Sequence, residues 1–272
     1  MIDLHVHTWR CRHATGEVGD YVAAAIQAGV RTLAITEHMP LAPALMAIPG
    51  AAGYAMPAAE LPEYVTEITG RRECAADRGV ELLLGIEADL VPESFDHVRE
   101  VLAAHPFDVV LGSVHFIDGW AFDDPERADG YAGRDIDAMW ERYFADVVTA
   151  ARTGLADVIG HIDLVKKFGY RPNGPSGALY HDLACALAET GVAVEVNTAG
   201  LRKPCAEIYP GDELLAALSA AGVPVTIGSD AHAPSEVGYG AVAAITALER
   251  AGYRSALVFR QRVPEEVALD DL

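Results

Sequence analysis

What the chain lacks narrows it first. No apolar run reaches the roughly 18 residues that a membrane-crossing helix needs, so no membrane partner is expected. Met1 leads directly into the polar, histidine-rich run Asp3–His7, which does not read as a secretory signal. Cysteine is sparse: Cys11, Cys74, Cys185 and Cys205 stand far apart and form no CxxC pair. A disulfide framework is therefore not expected, and a reducing cytoplasm is the expected location. No GxGxxG dinucleotide turn and no GxxxxGK[ST] phosphate loop occurs. No Ser-His or Cys-His arrangement stands out near a nucleophile elbow. Positive charge is also short, with Lys+Arg 20 against Asp+Glu 40 and a net charge of −20. That balance argues against nucleic acid as a partner, because a phosphate backbone wants a basic footprint. A small anionic substrate remains allowed, since local charge at a site can oppose the net charge.

What is present points to one large α/β core. The 272 residues are 51% hydrophobic, and no break in composition divides them, so a single domain over 1–272 is expected. Short β-branched runs occur at Ile2–Val6, Thr32–Thr36, Val80–Ile86, Phe107–Val114, Asp157–Ile162, Val192–Val196 and Pro224–Ile227. Runs of this length and composition suit buried parallel strands. Helical stretches lie between them: Val18–Ala28, Leu61–Arg78, Asp135–Arg152, Leu179–Thr190 and Asp212–Ala221, each stopping at or just before a glycine suited to a C-cap. The recurrence of helix, glycine and β-branched strand predicts about seven β/α units closing into a TIM-like barrel. A doubly wound open sheet is the competing architecture. Two segments, Pro40–Pro57 and Phe116–Arg134, fall outside the repeat. Both follow predicted strands, so both should lie on the C-terminal face as lids or substrate-contacting loops rather than as idle insertions.

The residues closing the predicted strands form the main pattern. They are His5 and His7, Glu37 and His38, Glu87, His115, His161, Glu195 and Asn197, and finally Asp230 and His232; His13 follows in the first loop. Six of the ten histidines sit at strand ends. In a TIM-like barrel such ends converge on one face, which carries the active site. Strand alternation puts His5 and His7 on one side, and Asp230 and His232 have the same spacing. A single strand-end histidine is more often a satisfied polar residue. A cluster of this size without metal would be repelled or left unsatisfied. Imidazole plus carboxylate suits Zn, Fe or Mn. His97, His105 and His181 fall on predicted helices or their ends and read as surface residues. Cys11 stands between His7 and His13 and could approach the cluster.

The segments DLHVHTWRCRH (3–13), ITEHMP (35–40), GIEADL (85–90), FDVVLGSVHF (107–116), IGHIDLVKKFGY (159–170), VNTAGLRKP (196–204), YPGDELL (209–215) and GSDAH (228–232) together resemble the PHP (polymerase and histidinol phosphatase) superfamily. GSVHF, HIDLVKKFG and NTAGLRKP are similar to its histidinol-phosphate phosphatase branch in particular. The resemblance implies a distorted (β/α)7 barrel with two to three divalent ions at its C-terminal face. Carried over, His5, His7, Glu87 and Asp230 would hold one ion. Glu87 would bridge to a second ion held with His115 and His161. His13, His38 and His232 would hold a third. Glu37, Glu195 and Asn197 would support the ligating groups.

The reaction expected is hydrolysis of a phosphate monoester by a hydroxide bridging two metals, and the resemblance implies that the ester is histidinol phosphate, in histidine biosynthesis. Glu87, Asp230, His232 and Arg202 are the expected catalytic residues. Four cations near the barrel mouth, Arg202 and Lys203 after strand six and Lys166 and Lys167 after strand five, suggest a phosphate clamp, with Arg202 foremost because it can bind bidentate. The competing reading of each lysine is an ordinary surface residue. The alternatives are another PHP phosphoesterase or nuclease, an amidohydrolase-type barrel, or a non-catalytic PHP module. The amidohydrolase barrel would place a bridging lysine or glutamate on strand four, where His115 stands here. The non-catalytic module is disfavoured because all nine ligand positions hold competent groups.

Overall fold

Seven parallel strands order themselves as β1 (Ile2–Asp3), β2 (Thr32–Ile35), β3 (Glu81–Asp89), β4 (Val109–Ser113), β7 (Val158–Ile159), β8 (Ala193–Asn197) and β9 (Val225–Gly228). The computed structural model describes residues 1–272, the side chain of Ala52 excepted. The last strand returns to the first: Leu4 N donates to Ile227 O (3.0 Å) and His7 N to Ala231 O (2.9 Å). The open-sheet alternative is thereby excluded, and the barrel expected from the sequence is the one observed.

Each strand is followed by a helix on the outside. These are α1 (Val18–Ala28), α3 (Leu61–Ala76), α4 (Phe95–Ala104), α5 (Ile136–Arg152), α6 (Gly177–Ala188), α7 (Asp212–Ala220) and α8 (Ala241–Ala251), with a short α2 (Pro43–Met46) in the second connection. Helix α1 opens with a reciprocal cap in which Glu17 N donates to Asp20 Oδ2 (2.9 Å) and closes at Gly29, φ 74°. A left-handed residue there satisfies the last carbonyls and turns the chain into β2 at little steric cost. Helix α8 was not expected from the sequence, and α4, where His97 and His105 were read as on a helix or at its end, was given no bounds.

Strand alternation then sorts the side chains. On β3, Leu82, Leu84 and Ile86 join the large helix-facing core, while Leu83 belongs to a second cluster with Val109 and Leu111. Glu87 follows Leu83 at the same parity near the carboxyl end, so the apolar barrel gives way to a polar mouth. The two irregular segments lie at that mouth. A small apolar cluster of Leu41, Leu45, Ala51, Ala55, Val91, Phe116 and Ala121 packs them together, and a two-strand ribbon, β5 (Phe116–Ile117) with β6 (Trp120–Ala121), starts the second one.

The opposite end is covered by an antiparallel hairpin, β10 (Ser255–Arg260) with β11 (Val263–Ala268). At its turn Arg262 donates to Asp157 (3.0 Å) and to Leu155 O (2.7 Å), beside the starts of β4 and β7. Among the described residues no helix is long and apolar enough to cross a membrane.

Candidate metal centre

Glu87 is the hub of the mouth. Its carboxylate is buried, and its two oxygens face different imidazoles. Oε2 lies 3.3 Å from His5 Nε2, 3.4 Å from His7 Nε2 and 3.0 Å from His38 Nδ1. Oε1 lies 3.2 Å from His161 Nε2 and 3.6 Å from His115 Nε2. Asp230 Oδ1 closes the first side at 3.4 Å from His7 Nε2 and 3.8 Å from His5 Nε2. Toward solvent, His13 Nε2 and His232 Nε2 approach to 3.0 Å, and the His7 ring stacks on His38 (4.3 Å) and His232 (4.4 Å). All nine residues predicted as ligands thus meet at one place. The half-buried His97 and His105 and the exposed His181 stand outside it.

A further layer fixes which ring nitrogen faces the cluster. His5 Nδ1 donates to Glu195 (2.7 Å), His115 Nδ1 to Asp89 (2.8 Å), His13 Nδ1 to Cys11 O (2.9 Å) and His232 Nδ1 to Asp230 O (3.0 Å). Each bond leaves the Nε2 lone pair pointing inward, as a metal ligand requires. Glu195 also accepts from His161 N (3.0 Å) and Asn197 Nδ2 (3.0 Å). Glu37 accepts from Thr8 N (3.0 Å) and Thr8 Oγ1 (2.6 Å) beside His7 Nδ1. A side chain at Gly228 would collide with Glu195 and His5, so this layer exists only because the strand end carries none. Asp3 accepts from Ser229 N (2.8 Å), Ser229 Oγ (2.6 Å) and Gly238 N (2.8 Å), holding the turn that presents Asp230. His161 and Asp230 sit at φ 24° and 52°, a left-handed backbone that costs about 1–3 kcal/mol each and is retained at working sites.

The unfilled valences fit divalent ions. His38 Nδ1 and Glu87 Oε2, which face each other in the cluster, are both buried without a hydrogen-bond partner. Donor separations of 3.0–3.4 Å match ligands sharing one ion, since metal–ligand bonds of about 2.1 Å at tetrahedral angles span roughly 3.4 Å. Protons divide unevenly without metal. Burial opposes charge on His5, yet Glu195, Glu87 and Asp230 outweigh it and hold its pKa well above the ordinary value. His7 is raised to about 9 and His115 to about 10 against the same burial, by carboxylates beside them. His38 and His232 are held well below the ordinary value by burial and neighbouring imidazoles.

The cations meet different fates. A cavity of about 620 Å³ opens over the cluster, with Tyr54, Asp123, Asp124, Glu126, Lys167 and Lys203 in its wall. Arg202 does not line it: its guanidinium donates to Ser229 O (2.9 Å) and Asp230 O (3.1 Å) and pairs with Glu236 (3.2 Å). Lys166 is sealed in the protein between Asp163 (2.7 Å), Glu207 (2.7 Å) and Ile208 O (2.7 Å). Both were expected at the phosphate; Lys166 is fully paired, and Arg202 braces the Ser229 and Asp230 carbonyls outside the cavity wall, with its Nη1 buried and unpartnered. Cys11 is fully buried, within reach of His13 and His232, and its thiol donates to Thr8 O (3.3 Å). Sequence reasoning missed Asp89, Asp3 and Asp123.

A parallel barrel with an imidazole–carboxylate cluster at its carboxyl mouth defines the class of divalent-metal hydrolases. The PHP domain signature matches residues 3–199. A protein of Deinococcus radiodurans described as a probable histidinol-phosphatase is 42% identical over 262 residues, covering 96% of this chain and 97% of its own. The histidinol-phosphatase of Bacillus subtilis is 30% identical, covering 87% and 95%. The crystal structure of histidinol phosphate phosphatase from Lactococcus lactis, complexed with zinc, L-histidinol and phosphate, superposes with a TM-score of 0.82 over 97% of this chain and 98% of that one, at 22% identity, and so shares the fold. The chain belongs to the PHP domain family, in its histidinol-phosphatase branch.

Proposed function

We propose that residues 1–272 act as one phosphomonoesterase domain that hydrolyses L-histidinol phosphate to L-histidinol and phosphate, using two to three divalent ions, with zinc, iron or manganese as the fitting choices. The carrying observation is Glu87, whose Oε2 faces His5, His7 and His38 while Oε1 faces His115 and His161. One carboxylate set between two imidazole groups is how adjacent ions are held together. In this reading His5, His7, Glu87 and Asp230 hold one ion, Glu87, His115 and His161 a second, and His13, His38 and His232 a third. The substrate assignment follows the relative at 42% identity.

When bound, such ions supply a water acidic enough to act at neutral pH and positive charge for the phosphoryl oxygens. The chain's own contribution is to orient. Glu195 and Asp89 fix the tautomers of His5 and His115, and Arg202 braces the carbonyls of Ser229 and Asp230 so that Asp230 keeps its place. The cavity wall, which includes Tyr54 and Asp123, encloses the organic part of a small ester, and a wall cation meets the phosphate, Lys167 and Lys203 being the two that line it.

Protein prepared with ample metal should carry two to three ions per chain, release phosphate from histidinol phosphate, and lose activity on chelation. Less than one ion per folded chain would overturn the metal assignment. Metal-loaded protein that ignores histidinol phosphate but cleaves another phosphomonoester would overturn the substrate.

A further inference from the structure

We infer that Lys203 is the cation that reads the substrate's phosphate, and that Lys167, its neighbour in the cavity wall, is instead a strut of the wall. The inference rests on the phosphatase reading above and deepens it. A phosphate dianion must enter a cavity whose wall carries, besides the imidazoles of the metal cluster, the carboxylates of Glu87, Asp123, Asp124, Glu126 and Asp230. Ions bound at the cluster meet only the oxygens turned toward it. The outward oxygens need a donor from the wall, and four cations stand close enough in sequence to be considered.

Three of the four are already engaged. Arg202 is held through Nη2 and Nε by Ser229 O, Asp230 O and Glu236, and although its buried Nη1 has no partner it does not line the cavity; Lys166 is buried against Asp163 and Glu207. Lys167 lines the cavity, but its ammonium donates to Asp123 O (2.6 Å) and to Asp123 Oδ2 (3.0 Å). The buried Asp123 also accepts from Tyr54 Oη (2.6 Å), and Lys167 holds its pKa down to about 2 despite burial. These three residues come from the connections after β2, β4 and β7, so Asp123 ties both mouth loops to the barrel. Freeing Lys167 for a phosphate would strip a buried carboxylate of its counter-charge and unfasten Tyr54, a costly exchange.

Lys203 differs. It lines the same cavity, is partly exposed, and makes no ion pair or side-chain hydrogen bond among the described residues. Its backbone is fixed instead: Lys203 N donates to Gly200 O (3.1 Å), and Lys203 O accepts from Ala206 N (2.9 Å). An anchored base with an uncommitted ammonium suits a compact cation that swings onto an incoming anion.

The test compares Lys203→Ala, Lys203→Arg and Lys167→Ala in full-length, metal-loaded protein. Readouts are KM and kcat on histidinol phosphate, the dissociation constant of inorganic phosphate by calorimetry, and proteolytic nicking within 40–57. Lys203→Ala should weaken phosphate about tenfold, the lower end for a charge-assisted contact at a wet wall. It should raise KM in parallel, with kcat within about threefold and metal content and nicking unchanged. Lys203→Arg should restore most of the loss. Lys167→Ala should speed nicking while changing phosphate binding by less than about threefold. Unaltered phosphate binding in Lys203→Ala, or a larger loss in Lys167→Ala, would overturn the assignment. So would wild type that binds no phosphate. Should wild type bind phosphate yet spare histidinol phosphate, only the substrate reading fails, and the calorimetric comparison still decides Lys203.

Discussion

At the scale of single residues, Glu87 and Asp89 mark what the sequence carries openly and what it hides. Eight of the nine positions proposed as ligands were legible because each closes a β-branched run, and strand ends of a parallel barrel share one face; the ninth, His13, follows in the first loop. Asp89 was not, although it stands two residues past Glu87 and therefore on the same side of β3. The strand runs on to Asp89, and nothing in the local pattern says that Glu87 does not end it. Once the strand is known to continue, Asp89 is placed beneath His115. Two outcomes separate the roles. Glu87→Gln should lose at least one ion per chain and activity by more than about a thousandfold, because both oxygens face imidazoles and an amide cannot serve both as an anion. Near-native metal content and turnover would remove the bridge. Asp89→Asn should keep the fold but cost about ten- to a hundredfold in metal affinity or rate, the usual effect of losing the partner that orients a ligating imidazole. Competition with a chelator, read alongside turnover, measures it.

Elements were read with unequal success for a physical reason. Helices α1, α3, α5, α6 and α7 announced themselves by a following glycine in the left-handed region, such as Gly29 or Gly191. Helix α4 ends at His105 in an extended conformation, ahead of Pro106, so that signal is missing. Helix α8 does end at Gly252, but it completes the last β/α unit and leads into the hairpin rather than into a further barrel strand. The hairpin was missed altogether, because its exposed strand β11 reads Val-Pro-Glu-Glu-Val-Ala and lacks the alternation of a half-buried strand. Its task is structural. Arg262 makes two bonds to Asp157 (3.0 Å each) and one to Leu155 O (2.7 Å) at the end of the barrel away from the metal cluster. Arg262→Ala should cost about 1–2 kcal/mol, since Asp157 keeps its bond from Val110 N (2.8 Å). Thermal unfolding should fall by about 2–4 °C per kcal/mol. Metal content and KM should not change; a shift in either would show that this end of the barrel is coupled to the mouth.

For the molecule as a whole, metal, protons and folding share one set of groups. The chain carries a net charge of −20, and its mouth sets seven imidazoles among the carboxylates of Glu37, Glu87, Asp89, Glu195 and Asp230, so counter-charge is present there near neutral pH. Without metal, that counter-charge is protons on His5, His7 and His115, whose pKa values lie well above the ordinary value, at about 9 and at about 10 respectively. An imidazole must be neutral at the ligating nitrogen, so binding near pH 7.5 should expel about two to three protons per chain. His38 and His232, held low, should release none. The sign for stability follows. Groups raised in the folded state stabilise it fully below their unfolded value of about 6.5, and that contribution is lost as pH climbs through about 9 for His7 and about 10 for His115. Glu87 and Asp230, depressed in the folded state, act oppositely: their contribution is present above the usual carboxylate range and is lost in strong acid. Metal-free protein should therefore melt at progressively lower temperature between pH 7 and pH 10. The metal-loaded form, whose imidazoles no longer titrate, should change far less, so the gap between the two widens with pH. Calorimetric titration of metal into chelator-treated protein, in two buffers of different ionisation enthalpy, counts the protons directly. Thermal scans of both forms at pH 7, 8.5 and 10 read the gap. Fewer than one proton released at pH 7.5, or a gap that narrows as pH rises, would mean that His5, His7 and His115 do not carry the charge that the ions replace.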